Sequence, residues 1–282
     1  MADITTYPGG KARLYQWLIN QIPPHTAFIS THLGNCAIMR YKRPALLNIG
    51  IDLDPAVIEM WQSRACTAGA IDIPDGAAAA PEPTMMATLS KASDAGLYRH
   101  QQRCTPANLA TLSEVDHIVT PDEATRYNFI NTDCVPWLKS YPFTGSEFVY
   151  SDPPYLFHTR KQKDRLYKFE YTFLQHVELL DILLTLPCPV MVSGYQSEIY
   201  DDILTGWRKE TIQTVTRGGT LATEVIWMNY PQPEALHDYR YLGDDFRARE
   251  RIKRKKQRWA ERWRTMGRLE RLAILAAIQE AA

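Results

Sequence analysis

The tetrapeptide Asp152-Pro153-Pro154-Tyr155 has the clearest potential for chemistry in this sequence. It directly follows the apolar run EFVYS, and two consecutive prolines, which lack N–H groups, end a strand and leave rigid free carbonyls. A carboxylate, a carbonyl and an aromatic face would then meet at the carboxyl end of a strand, where open α/β sheets bind ligands. This set suits an exocyclic amino group on a planar base: Asp152 and the Pro153 carbonyl would hold the amine while Tyr155 stacks on the ring. An ordinary turn is the alternative interpretation.

Two further stretches carry residue types that are typical of nucleotide sites. Asp52 ends the run LNIGID and would accept hydrogen bonds from two ribose hydroxyls, or it caps a helix that begins at Pro55. Gly9 and Gly10 would let the backbone approach a ligand, and Lys11 would pair with a carboxylate. The alternative for G-G-K is a turn before a helix.

Taken in order, these elements resemble those of the Dam-like N6-adenine DNA methyltransferases. Tyr7-Pro8-Gly9-Gly10-Lys11 matches the aromatic-x-G-G-K element that contacts the methionine part of the cofactor in that family. Asp52 matches the family's ribose-binding acid, and Asp133 matches the residue near the cofactor's adenine. A helix with the pattern F-x-x-x-H-x-x-L and a final G-G hairpin follow D-P-P-Y. The similarity covers about residues 1–60 and 127–231.

The resemblance implies an enzyme that transfers a methyl group from S-adenosylmethionine to the N6 amino group of adenine in double-stranded DNA, with the target base flipped out of the helix. It assigns catalysis to Asp152, Pro153, Pro154 and Tyr155, and cofactor binding to Tyr7, Gly10, Lys11, Gly34, Asp52 and Asp133. Because the pocket would accept any amino-substituted ring, methylation of adenine in RNA or of cytosine N4 is the nearest alternative.

The turn after the first strand departs from the family pattern. The family has E-P-F-x-G-x-G, whereas this chain has S-T-H-L-G-N-C over residues 30–36, so only Gly34 remains. Cys36 adds a side chain where none is expected. His32 replaces an aromatic residue, and we interpret it as a packing or hydrogen-bonded histidine rather than a catalyst. A methyltransferase fold that has lost its cofactor and retains only nucleic-acid binding is therefore a second hypothesis.

The elements that would position these residues alternate between strands and helices. Apolar runs at 27–30, 45–52, 147–152, 189–195 and 223–230 predict strands, and residues with three- and four-residue apolar spacing at 11–22, 55–65 and 173–186 predict helices. The stretch 207–215 would form a hairpin with 223–230. This pattern predicts a doubly wound, mostly parallel α/β sheet with an antiparallel terminal hairpin, which is the Rossmann-like fold of class I methyltransferases.

The chain divides into three predicted regions. Residues 1–65 and 126–241 would form the catalytic domain, and residues 66–125, which supply little strand signal, would be an inserted target-recognition region. Residues 242–282 would form a long basic C-terminal helix, with a possible interruption at Gly267.

Charge is distributed unevenly along a chain whose formal net charge is zero. Residues 247–271 contain 12 Lys or Arg and 3 Glu, a net of +9, whereas residues 1–246 carry a net of −8, and Glu280 completes the balance. The basic segment would attract a polyanion, although a solvated helix, or one that packs or dimerises through Trp259 and Trp263, is the alternative. The candidate nucleic-acid contacts are Arg160, Lys161, Lys163, Arg217, Arg99, Arg103, Lys255 and Lys256.

Composition excludes several other classes of protein. The 282 residues are 45% hydrophobic, which suffices for a packed core, and contain neither an apolar run of membrane-spanning length nor a signal-peptide pattern. We therefore expect a cytoplasmic protein without membrane contact. The five cysteines form no C-x-x-C pair and the histidines have no ligand spacing, so we expect no metal.

Overall fold

The computed structural model describes Lys11 and residues 14–67, 125–159, 167–215 and 221–281. The strands in these residues are β1 (Ala27–Ser30), β2 (Leu47–Asp52), β3 (Arg126–Asn131), β4 (Glu147–Ser151), β5 (Val190–Tyr195), β6 (Arg208–Val215) and β7 (Leu221–Met228). They form one seven-stranded sheet in the order β3-β2-β1-β4-β5-β7-β6. The first five strands pair in parallel, and β7 runs antiparallel to both of its neighbours.

Helices cover both faces of this sheet. On one face lie α1 (Tyr15–Ile19), α2 (Ala37–Tyr41) and α3 (Pro55–Thr67), and on the other α4 (Cys134–Ser140), α5 (Phe173–Thr185) and α6 (Glu198–Ile203). Strands β1 and β4 are buried along their whole length because apolar side chains from both layers pack on them. A strand covered on both faces has no polar side to alternate with, so it is encoded as a continuous apolar run.

Local sequence signals set the ends of the best-predicted helix, α5. Thr172 and Gln175 form a capping box, in which each side chain accepts a hydrogen bond from the other residue's backbone N–H. At the other end, Leu186 closes the helix and Pro187 follows, where the proline ring prevents another helical turn.

The strand order defines a class I, Rossmann-like methyltransferase fold and confirms the predicted doubly wound sheet with its antiparallel hairpin. The order reverses between β1 and β4, which lie side by side in parallel. In open α/β sheets, ligands bind in the crevice at the carboxyl ends of the two strands where the order reverses. The fold therefore places a binding site beyond Ser30 and Ser151.

Several elements differ from the sequence-based predictions. Strand β3 was not predicted, because it is an edge strand with mixed exposure that pairs only with β2. The helix predicted over 11–22 is limited to Tyr15–Ile19. Helices α2, α4 and α6 span only five to seven residues each, which is too short for helical periodicity to show in the sequence.

The C-terminal region forms two helices, α7 (Phe246–Thr265) and α8 (Arg268–Ala281), with the break at the predicted Gly267. Neither helix has a buried residue, and Trp259 is 51% exposed, so the tryptophan face is not packed into the core. Most of the predicted insertion, residues 68–124, lies outside the described residues, and the three-region division stays a prediction. Within the described part of the chain, no helix is both long and apolar enough to cross a membrane.

Candidate active site

A cleft opens at the carboxyl ends of β1 and β4, where the strand order reverses. Its walls come from the turns that follow β1, β2, β3 and β4 and from the segment that precedes α5. The residues that line it are Lys11, Thr31, His32, Leu33, Gly34, Asn35, Cys36, Ala37, Asp52, Leu53, Thr132, Cys134, Tyr150, Asp152, Pro154, Tyr167, Phe169 and Tyr171.

Asp152 directly follows β4 and is held by one of its two oxygens. Its Oδ1 accepts hydrogen bonds from Ser193 Oγ on β5 at 2.8 Å and from Lys11 Nζ at 3.1 Å. Tyr150 Oη lies 3.0 Å from Ser193 Oγ and extends the hydrogen-bonded chain into the core. Within the described residues, Asp152 Oδ2 has no hydrogen-bond partner, and the side chain is 22% exposed. The carboxylate therefore has a fixed orientation and one oxygen available for a ligand.

Lys11 is almost fully buried between acidic side chains of its own chain. Its Nζ lies 3.1 Å from Asp152 Oδ1 and 3.4 Å from Glu224 Oε2, and it also donates a hydrogen bond to the Tyr155 hydroxyl. Burial by itself lowers the pKa of Lys11, but attraction from Asp152 and Glu224 outweighs it, so the pKa is raised. The ammonium stays charged at neutral pH, and its charge is balanced within the protein.

Tyr155 lies beneath the cleft rather than in its wall. The side chain is 5% exposed, its hydroxyl donates to Glu224 Oε2 at 2.7 Å, and its ring centroid lies 4.4 Å from that of Tyr195. Of the D-P-P-Y turn, Asp152 and Pro154 line the cleft, while Pro153 is buried. Stacking of Tyr155 on a target ring stays a prediction, and in this geometry the tyrosine supports the turn from below.

The turn after β1 forms despite its departure from the family pattern. Gly34 has a φ of 39°, a conformation that glycine adopts without strain. Its N–H donates to Asp52 Oδ2 at 2.8 Å, and its carbonyl accepts from Trp61 Nε1 at 2.8 Å. Cys36 ends the turn as the N-cap of α2, where its Sγ accepts from the Met39 N–H at 3.4 Å. Burial raises the pKa of Cys36 to about 11, so the thiol is neutral.

His32 packs within the cleft wall as a neutral side chain. Burial, followed by the nearby His176, lowers its pKa to about 3. Its ring meets the edge of Tyr171 at a centroid distance of 5.0 Å, and its Nδ1 lies 2.9 Å from Thr31 Oγ1. This environment agrees with the interpretation of His32 as a packing residue.

Asp52 organises the loop between β2 and α3. Its Oδ1 accepts from the Asp54 N–H at 2.8 Å, while Asp54 Oδ1 accepts from the Ala56 N–H at 3.1 Å in the first turn of α3. Asp54, not Asp52, therefore supplies the cap that was the alternative role for Asp52. Burial raises the pKa of Asp52, although backbone hydrogen bonds partly offset that effect.

Asp133 caps α4 by accepting a hydrogen bond from the Val135 N–H at 2.9 Å. Its neighbours Thr132 and Cys134 line the cleft, so Asp133 lies beside the predicted cofactor position without being part of the wall. A role near the cofactor's adenine stays a prediction.

An aromatic wall that was not predicted from the sequence lines the cleft. It consists of Tyr167, Phe169 and Tyr171, which alternate along the segment before α5, and Phe169 is 39% exposed. Lys168 Nζ bonds to Asp54 Oδ1 at 2.8 Å and ties this segment to the loop after β2. The alternation Y-K-F-E-Y in the sequence was the signal for this wall.

The predicted nucleic-acid contacts fall in two groups. Lys255 and Lys256 lie on exposed α7, where Lys256 Nζ also bonds to the Tyr239 carbonyl oxygen at 3.2 Å. The others lie outside the described residues, as do two predicted cofactor residues: Arg99, Arg103, Arg160, Lys161, Lys163, Arg217, Tyr7 and Gly10.

No family model and no curated protein matches the sequence. Solved structures with a similar fold include an rRNA methylase from Streptococcus thermophilus, with 8% identity, a TM-score of 0.42, and coverage of 78% of this chain and 96% of that one. The 23S rRNA methyltransferase ErmE has 9% identity, a TM-score of 0.42, and coverage of 88% and 84%. Magnesium protoporphyrin IX methyltransferase from Synechocystis, solved with bound SAM, has 13% identity, a TM-score of 0.38, and coverage of 77% and 76%. At these identities and TM-scores, no functional conclusion follows from the similarities.

Proposed function

We propose that this protein transfers a methyl group from S-adenosylmethionine to the N6 amino group of adenine in DNA. The observation that carries the proposal is the Asp152 carboxylate at the strand-order reversal, with Oδ1 held by Ser193 and Lys11 and Oδ2 available to a ligand. A carboxylate fixed in this way accepts a hydrogen bond from an amino group and orients its lone pair. Oriented groups are the main requirement of a direct displacement at nitrogen.

The residues of the cleft fit the cofactor at its ribose and adenine ends. Asp52 lies at the end of β2, where an acid binds ribose hydroxyls in such folds, and the left-handed Gly34 lets backbone approach a ligand. Phe169 offers a partly exposed ring close to this position, because Lys168 ties its segment to Asp54. Asp133 would lie near the adenine.

Lys11 is better placed to hold Asp152 than to bind a ligand carboxylate. Two acidic side chains already surround its ammonium, and a third negative group would find no unbalanced positive charge there. We therefore propose that Lys11 acts on the target side of the cleft.

When bound, S-adenosylmethionine would supply an electrophilic methyl group, whose bond to sulfur breaks as its bond to the amine nitrogen forms, so that S-adenosylhomocysteine leaves and the amine releases one proton to water. Asp152 Oδ2 would accept a hydrogen bond from the target amine. The carbonyl oxygen of Pro153, which lies beyond the end of β4, is the candidate acceptor for the second amine hydrogen. Lys11 remains protonated, so it orients Asp152 and does not serve as a base. Flipping the adenine out of a duplex costs a few kcal/mol, which phosphate contacts would offset.

The test replaces Asp152 by Asn, which keeps the shape of the side chain and removes its charge. We expect methyl transfer to adenine-rich duplex DNA, measured with tritium-labelled cofactor, to fall by about 10²–10³-fold, as when a fixed polar group is lost from an active site. Asp181→Asn on the exposed surface of α5 is the matched control and should retain full activity. Undiminished transfer in Asp152→Asn would show that the assigned chemistry is wrong.

Mass spectrometry of nucleosides from methylated DNA and RNA identifies the acceptor. Detection of N6-methyladenosine from RNA would identify RNA adenine as the acceptor, and detection of N4-methylcytosine would identify cytosine. Either result would leave the proposed role of Asp152 unchanged. If the protein transfers no methyl group and calorimetry also detects no binding of S-adenosylmethionine, the hypothesis of a nucleic-acid-binding protein without a cofactor is favoured.

A further inference from the structure

Glu224 is a buried acid on β7 that lies beside the proposed catalytic turn. Strand β7 runs antiparallel to β5 and pairs Glu224 with Tyr195, the last residue of β5. Because Glu224 pairs with the last residue of β5, it lies at the same sheet edge as the carboxyl ends of the parallel strands. This topology brings Glu224, which is 7% exposed, next to Asp152.

Glu224 contacts both groups that flank Asp152. Its Oε2 accepts from the Tyr155 hydroxyl at 2.7 Å and lies 3.4 Å from Lys11 Nζ. Tyr155 belongs to the turn after β4, and Lys11 belongs to the segment before α1. One carboxylate on β7 thus connects two parts of the chain that meet at the active site.

We infer that Glu224 is a positioning residue for methyl transfer, which holds Lys11 and Tyr155 so that Asp152 presents Oδ2 to the target amine. The inference rests on the proposed function. Lys11 is shared by two carboxylates, so the buried group of Lys11, Asp152 and Glu224 has a net charge of −1. Without the charge of Glu224, the attraction between Lys11 and Asp152 would no longer be shared with a second carboxylate, and Lys11 would draw Asp152 toward itself.

The charged state of the group explains why the arrangement persists at neutral pH. Burial, together with the charges of Asp152 and Glu224, raises the pKa of Tyr155, so its hydroxyl stays protonated and donates to Glu224. Burial by itself lowers the pKa of Lys11, and the charges of Asp152 and Glu224 outweigh that effect. Removing the charge of Glu224 should therefore lower the pKa of Lys11.

Glu224→Gln tests the inference, since glutamine still accepts from Tyr155 but carries no charge. We expect kcat to fall by about 10- to 100-fold, the effect of losing a charged hydrogen-bond partner, while KM for S-adenosylmethionine changes by less than about threefold. The alkaline limb of the kcat profile should move to lower pH, because Lys11 loses its proton earlier. A purely structural role would not move that limb.

Two variants serve as controls. Glu210→Gln removes an acid from neighbouring β6, where it lies 3.5 Å from Arg208 and is 43% exposed, and it should leave kcat and its pH profile unchanged. Glu224→Asp keeps the charge and should restore the alkaline limb to near its original position. If Glu224→Gln does not fold, as judged by its melting transition, Glu224→Asp and Glu224→Ser are compared in the same pH series.

A second measurement does not depend on activity. In protein labelled with ¹³C-lysine, the Cε resonance of Lys11, assigned by its loss in Lys11→Arg, should titrate at lower pH in Glu224→Gln than in the unmodified chain. An unchanged Lys11 titration, or an unchanged kcat and pH profile, would overturn the role of Glu224. Failure of the unmodified chain to methylate any acceptor would instead overturn the proposed function, whatever the titration shows.

Discussion

The Gly34 N–H donates to Asp52 Oδ2 at 2.8 Å, which ties the turn after β1 to the end of β2. This bond joins two positions that the cofactor would touch, so the turn and the acid are held as one unit. It also explains how the turn keeps its shape with a single glycine. Cys36, where the family has a second glycine, is used instead to begin α2.

We predict that Asp52→Asn weakens cofactor binding. The substitution removes the charged acceptor for Gly34 and for the ribose, and a hydrogen bond to a charged group is worth about 1.5–3 kcal/mol, or roughly 10- to 150-fold in Kd. Calorimetry with S-adenosylhomocysteine measures the change. The 2′-deoxy form of that ligand is the control: it should bind more weakly than the parent to the unmodified chain, but nearly equally to Asp52→Asn. If the unmodified chain and Asp52→Asn preferred S-adenosylhomocysteine over its 2′-deoxy form to the same extent, the proposed contact between Asp52 and the ribose would be wrong.

We predict that Phe169→Ala also weakens cofactor binding, because its exposed ring would cover the cofactor's adenine. Stacking of a base on an aromatic side chain contributes about 1–3 kcal/mol, so Kd should rise roughly 5- to 150-fold. Phe173→Ala, in which an exposed ring at the start of α5 is removed away from the cleft, is the matched control and should bind normally. If both variants bind the cofactor as the unmodified chain does, Phe169 has no stacking role.

Deleting residues 247–282 should reduce DNA affinity and flatten its salt dependence, with little effect on cofactor binding. Helices α7 and α8 have no buried residue, so the deletion leaves the core intact. The segment 247–271 has a net charge of +9 and would supply phosphate contacts, each of which contributes about 0.9 to the slope of log K against log salt.

A double variant sharpens this prediction. Replacing Lys255 and Lys256 by Gln should lower the slope by roughly two if both contact phosphate. Lys139→Gln, which removes an exposed lysine paired with Glu178 on the body, should leave the slope unchanged. Equal DNA affinity with and without residues 247–282 would indicate a solvated helix instead.

We predict a loss of stability in acid that depends on His237. This residue stacks on His25 at a centroid distance of 3.9 Å, and its Nε2 lies 2.9 Å from the Arg43 carbonyl oxygen. Burial, then the charges of Lys42 and Arg43, lower its pKa from 6.5 to about 3. The unfolded chain therefore gains a proton before the folded protein does, and stability present above pH 6.5 is lost as the pH falls toward 3.

Urea unfolding at pH 7 and pH 5 checks this prediction. The free energy of unfolding should fall by about 2 kcal/mol for His237 over that interval. His237→Gln, whose amide can also donate to the Arg43 carbonyl, should show a smaller fall in the free energy of unfolding. Part of the fall that remains in this variant comes from His25, whose pKa is also lowered by burial. The same pH dependence in both proteins would contradict the assignment.

Much of the fold could be predicted because the buried strands are encoded locally. Strands β1, β4 and β5 are apolar runs that have to lie inside a sheet, and Thr172 and Pro187 mark the ends of α5 in the sequence itself. Strand β3 escaped prediction, since its mixed side chains suit an edge as well as a loop.

By itself, the sequence determined the alternation of strands and helices, the rigid turn at Asp152 and the concentration of positive charge near the C-terminus. These features follow from side-chain type and spacing within short stretches. Only the tertiary structure decided the partners of Lys11, the buried position of Tyr155 and the contribution of Glu224. These contacts join the segment before α1, the turn after β4 and the middle of β7. Their distances depend on strand order, which brings remote residues to one edge of the sheet and which no local pattern encodes.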